Sequence, residues 1–95
     1  MLPENRIPTH PGEVLEEEFL KPLHLPTAQF ARHIGLPTLV VNQIVRGQRA
    51  VTPEIAWRFA FALGTTPELW LNLQNAHDLA LTQPKRHIAR LKHAA

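Results

Sequence analysis

Large apolar residues recur at steps of three and four along most of this chain, and prolines and glycines cut the pattern into five pieces. In the first piece, HPGEVLEEEFL, Val14, Leu15, Phe19 and Leu20 form one apolar stripe beside a run of glutamates. Pro11 fits the first helical position, and Glu13 to Glu18 favour an early turn. Pro22 and Pro26 bracket a short loop, PLHLP. The second piece, PTAQFARHI, turns Phe30, Ala31 and Ile34 inward and stops at Gly35. The third is opened by Pro37, runs to Arg46 and stops at Gly47. The fourth and fifth both open with TPE: Thr52 and Thr66 cap, and Pro53 and Pro67 take the first helical position. Gly64 ends the fourth helix and Pro84 bounds the fifth. No alternating strand pattern competes, so the expected fold is all-α, five helices joined by short loops.

The second and third helices are short and are separated by a tight turn at Gly35, which makes residues 26–46 a helix-turn-helix candidate. That signal alone is weak, because any pair of antiparallel helices imitates it. At about 100° per residue the third helix divides into two faces. Val41, Ile44 and Val45 lie together and face the core, while Leu39, Asn42, Gln43 and Arg46 share the opposite face. An amide pair, one arginine and one leucine suit A·T pairs in a major groove: Asn or Gln bridges adenine N6 and N7, and Leu meets a thymine methyl. Arg49, two residues beyond Gly47, is placed to meet a backbone phosphate.

The fifth helix, residues 67–82, raises a different expectation. Leu69, Trp70, Leu71, Leu73, Ala76, Leu79, Ala80 and Leu81 occupy nearly its whole circumference. A surface helix needs an apolar stripe on one side only, so the excess argues for a second contact, and a twofold dimer is the commonest one. Trp70, Leu73, Ala76, Leu79 and Ala80 are the expected interface, with Asn72, Gln74 and Asn75 at its rim. The competing reading is that Trp70 plugs the core of its own chain. Trp57 and Phe61 on the fourth helix, at i and i+4, are expected to be partly exposed.

Composition bounds these readings. A chain of 95 residues is one small domain that buries about 60–65% of its unfolded surface, so its stability is marginal. The organisation expected is an N-terminal arm (1–8), the helix-turn-helix domain (9–83) and a mobile basic tail (84–95). There is no cysteine, hence no disulfide or thiolate metal site. MLPENRIPTH lacks the apolar core of a secretion signal, and no run of 18 apolar residues is present, so neither export nor a membrane is expected. Charge is uneven: residues 1–20 hold five Glu and one Arg, and residues 21–58 hold five Lys or Arg and one Glu. An acidic start beside a basic middle and tail suits two partners of opposite sign, or is ordinary surface charge. The six histidines form no i, i+4 pair with a carboxylate, so no metal is expected. No nucleophile motif or phosphate loop appears; no enzyme and no cofactor are expected.

The motifs PTHPGEVL (8–15), FARHIGLP, VNQIVRGQRAVTPEIAWRFAFALGTTPE and WLNLQNAHDL (70–79) resemble those of HigA-type antitoxins, members of the Cro/repressor-like (XRE) helix-turn-helix superfamily. The resemblance covers roughly residues 8–80, and its last motif is the most specific. It implies a cytoplasmic bacterial protein that neutralises a HigB-like toxin, a small RelE-like ribonuclease that cuts mRNA during translation. It also implies a homodimer that binds double-stranded operator DNA and represses its own operon. By that resemblance Thr38, Leu39 and Gln43 match groove-reading positions, with Asn42 beside them, and Thr27 and Arg46 match phosphate contacts. The chain departs from the family where DNA would be read: relatives usually carry Ser and Arg at the positions of Pro37, Thr38 and Val40. Glu16, Glu17 and Glu18 point around a helix and make no carboxylate dyad; they are a solvated face or a docking surface for a basic toxin. The tail PKRHIARLKHAA touches phosphates or an acidic partner, or has no role. Three functions stay open: an antitoxin that also represses, a stand-alone repressor without a toxin, and a toxin-binding module that has lost DNA binding.

Overall fold

The computed structural model describes residues 7–84 and 86–92. Most of the N-terminal arm and part of the basic tail therefore lie outside the described residues. The helices come in the expected order: α1 (Pro11–Val14) continued without a break by a π-helical segment (Leu15–Leu20), α2 (Thr27–Ile34), α3 (Thr38–Val45), α4 (Pro53–Leu63) and α5 (Pro67–Leu81). No strand occurs among the described residues. Thr52 and Thr66 cap as expected, their hydroxyls accepting the Ile55 N–H at 3.3 Å and the Leu69 N–H at 3.2 Å. Residues 86–92 carry no helix.

The wide winding of the π segment is a departure from the sequence expectation. Its bonds span five residues: the Lys21 N–H donates to the Glu16 carbonyl at 2.9 Å. Leu15 and Leu20, five apart, thereby both reach the core, while Val14 and Phe19 are half-buried.

α1 packs on α3 and α5, α2 on α3 and α4, and α4 on α5. Phe59 sits at the middle of the core, its ring 5.7 Å from Phe30 and 5.1 Å from Trp70, the latter edge-on at 82°. Trp70 is fully buried, also touches Phe19 at 5.6 Å, and donates its indole N–H to the Thr65 hydroxyl at 2.8 Å. It is a core residue of its own chain, which withdraws it from the expected dimer interface. Gln74 is corrected in the same way. It is buried, not a rim residue: its Oε1 accepts the Val51 N–H at 2.8 Å and its Nε2 donates to Asp78 at 3.0 Å. An amide is tolerated there because both of its ends are paired.

The start of α1 is clamped from two sides. His10 caps it, its Nδ1 accepting the Gly12 N–H at 2.9 Å. The His10 ring meets that of His77 on α5 edge-on, 5.0 Å away, and His77 Nδ1 donates to the Pro8 carbonyl at 2.8 Å. Gly12 lies so close to the end of α3 that a Cβ there would fall on the Ile44 carbonyl oxygen.

Burial lowers the pKa of His10 below the ordinary histidine value; neighbouring His77 pushes the same way and Asp78 opposes. The neutral ring is the form that accepts from Gly12, so the unfolded chain takes up the proton more readily than the folded one. Stability from this group is complete above about pH 6.5 and falls as pH drops from there through the lower folded value. The unfolding free energy is therefore expected to be lower at pH 5 than at pH 7.5. His10→Asn keeps an acceptor for the cap and should flatten that decline; an unchanged decline in denaturation curves of His10→Asn would assign it to other groups.

Candidate nucleic-acid interface

The α2–α3 pair is held as a rigid unit by α4. Gly35 adopts the left-handed conformation, φ 75°, that closes α2 and turns the chain into α3. Arg58 of α4 reaches across and donates to the Ile34 carbonyl at 2.6 Å, while Glu54 holds the same guanidinium at 3.0 Å. The Ile34 carbonyl at the end of α2 is thus satisfied from a neighbouring helix.

On α3, Val41 and Ile44 are completely buried and Val45 is half-buried. The opposite face carries Thr38 and Leu39, both exposed, then half-buried Asn42 and Gln43, with Arg46 exposed at the C-cap. Leu39 stands 65% exposed, a large apolar side chain outside the core cluster. Thr27 is the first residue of α2 and half-buried. Neither α2 nor α3 is capped by a side chain; Pro26 and Pro37 precede them, which leaves the first backbone N–H groups free to meet an anion. Between Phe19 and Pro53 the sequence contains no carboxylate. Arg46 and Arg49 bring positive charge to this surface beside the two amides, while Glu16 of the π segment lines the same hollow as Pro26 and Thr27 at the start of α2.

One contact was not legible in the sequence: Arg49 Nε donates to Gln43 Oε1 at 2.7 Å. It joins a residue read as a base contact to one read as a phosphate contact.

Antitoxin HigA-1 of Vibrio cholerae is 39% identical over 74 residues, 78% of this chain and 70% of that protein. Antitoxin GraA superposes with a TM-score of 0.80 at 44% identity, covering 83% of this chain and 85% of that one. The chain belongs to the HigA family of antitoxins. A further HigA-family structure, antitoxin HigA of Pseudomonas aeruginosa with the higBA promoter, superposes with a TM-score of 0.76 at 38% identity, over 78% of this chain and 80% of that one. GraA has also been solved in complex with its operator. No family model matches the chain. These HigA-family relatives are antitoxins and not enzymes, in line with the expectation of no catalysis.

The other residues singled out in this HigA-family chain are scattered. On α5, Leu79 is 71% exposed and Ala80 is exposed, whereas Ala76 is half-buried and Leu73 packs against the chain's own core. Glu17 and Glu18 are exposed and Glu16 is half-buried; Glu17 is engaged by Lys21 at 2.7 Å, an exposed pair that contributes little. Trp57 and Phe61 stack on the outside of α4, rings 5.4 Å apart and 52% and 80% exposed. Among the described residues no His, Asp or Glu cluster is suited to a metal, and no helix is long and apolar enough to cross a membrane.

Proposed function

We propose that this chain is a cytoplasmic antitoxin that lays α3 in the major groove of operator DNA as a homodimer, represses its own operon and neutralises a basic, mRNA-cleaving toxin of the HigB kind. The observation that carries the DNA part is the outer face of α3: two amides and an arginine, on a helix whose start is uncapped and in a stretch of sequence, between Phe19 and Pro53, that holds no carboxylate. Relatives solved with a promoter or operator support it. In this reading Thr38, Leu39, Asn42 and Gln43 face bases, and Thr27 and Arg46 face phosphates. The exposed side of α5, around Leu79 and Ala80, joins the two copies. Glu16, Glu17 and Glu18 are the acidic surface offered to the toxin.

The test is a titration against the native upstream region and a scrambled duplex at two salt concentrations. Gln43→Ala should remove one base contact, about 1–3 kcal/mol, and relax preference at one position per half-site. Arg46→Ala should weaken binding to every sequence and flatten the salt dependence, because it removes a phosphate contact. Equal wild-type affinity for both duplexes would leave the toxin-binding module without DNA binding, the reading that exposed Leu39 favours. The dimer is checked by sedimentation of Leu79→Glu, which should fall to monomer mass with its helices intact. Burying an unpaired carboxylate costs several kcal/mol, enough to defeat a modest interface. Leu73→Glu is a poorer probe, because Leu73 also packs inside its own chain.

A further inference from the structure

The Arg49–Gln43 bond bears on how the groove is read. A carboxamide has two ends of nearly equal size and opposite chemistry, an acceptor oxygen and a donor nitrogen. Left free, it turns end for end and meets a donor or an acceptor on a base with equal ease. A guanidinium only donates, so the 2.7 Å bond from Arg49 Nε fixes Oε1 toward Arg49 and aims Nε2 away from it. The segment that carries Arg49 is itself pinned. The Gln48 N–H donates to the backbone carbonyl of Gln43 at 2.8 Å, and the Gly47 N–H to that of Ile44 at 2.9 Å. Two residues past Arg49, the Val51 N–H is held by buried Gln74 at 2.8 Å. Arg49 is thus no free arm at the edge of the domain; both the turn before it and Val51 after it are tied to helices.

We propose that Arg49 is a positioning residue that sets the polarity of the Gln43 amide, and so makes Gln43 a donor toward a major-groove acceptor. This replaces the phosphate role read for Arg49 from the sequence, and it rests on the reading that α3 enters the groove. Adenine and guanine offer N7 and thymine offers O4, whereas cytosine presents only its amino group there. Cytosine is therefore the base rejected most strongly at the Gln43 position. The order in which the amide is held also lowers the entropy lost on binding, since Gln43 meets the base already placed.

The experiment uses the full chain and a panel of duplexes with each of the four bases at the operator position where Gln43→Ala flattens the preference. Wild type should discriminate against cytosine there by roughly five- to hundredfold, the range of one good base contact. Arg49→Lys keeps the charge but puts a methylene where arginine has Nε, so it should lose that discrimination as fully as Arg49→Ala, with the salt slope of wild type retained. A double change, Gln43→Ala with Arg49→Ala, should be no flatter than Gln43→Ala alone, since the two residues act through one contact. Arg49 is exposed, so Arg49→Lys and Arg49→Ala should unfold at the wild-type midpoint. The inference is overturned if Arg49→Lys discriminates like wild type while Arg49→Ala weakens all four duplexes equally, the pattern of a phosphate contact. A wild type that fails to tell the native upstream region from a scrambled duplex overturns the groove reading and this inference together.

Discussion

Trp70→Ala is expected to remove about 3–5 kcal/mol of folding stability, the loss typical of deleting a large buried aromatic. A domain of this size has roughly 5–14 kcal/mol in all, so the variant should be largely unfolded at modest urea concentrations. Trp70 has no exposed surface, lies between Phe19 and Phe59, and bonds the Thr65 hydroxyl. Phe19 and Phe59 are each carried on a helix of their own, so neither can fill the hole without displacing that helix. Trp70→Phe keeps most of the ring volume and loses the indole donor, so it should cost less, about 1–3 kcal/mol. Urea denaturation followed by circular dichroism measures both. Should Trp70→Ala keep wild-type stability and lose only its assembly, the tryptophan would belong to the subunit contact instead.

Gly12→Ala should also destabilise, by about 1–3 kcal/mol or more, as over-packed sites do. In an open helix the same change usually stabilises by roughly 0.5–1 kcal/mol, because alanine is the better helix former. The sign is reversed here because the new methyl would strike backbone: the Ile44 carbonyl oxygen and, 3.0 Å away, the Val45 Cα. Backbone cannot rotate aside as a side chain can. α1 must therefore lift from the end of α3, and α3, the helix proposed to enter the groove, loses its support. Operator affinity should fall together with stability. A Gly12→Ala chain as stable as wild type, by the same denaturation assay, would show that α1 does not sit this close.

Much of this was written in the sequence, and where it was not there is a physical reason. The helix starts were legible because Thr-Pro-Glu acts locally: the threonine hydroxyl and the N–H it caps are three residues apart. The two faces of α3 were legible because a helix repeats at a fixed angle, and Val41 and Ile44 are sealed where the pattern places them. Gln74 was misjudged because the group that makes its burial tolerable, the Val51 N–H, lies 23 residues away. Trp70 was left between the core and the dimer because a helix apolar on every side does not say which side its own core takes; the structure gives it to the core. The π winding was hidden because Val14, Leu15, Phe19 and Leu20 offer spacings of both four and five, and the sequence does not say which of them the winding follows. Gly12 went unremarked inside PTHPGEVL because its reason is a neighbour on another helix. Arg49 showed as a charge, and only the fold brings it to the Gln43 amide.

The two tryptophans, in a chain without tyrosine, occupy opposite settings: one sealed in the core, one half in water against Phe61. Their fluorescence therefore divides by origin. Trp70 emits from an apolar enclosure, towards the blue and out of reach of iodide, and changes only when the fold opens. Trp57 emits further to the red, is open to quencher, and responds to whatever comes to lie on α4. An unlabelled sample carries one optical reporter for integrity and another for contact, and a partner that shields the second while leaving the first untouched has bound without unfolding its host.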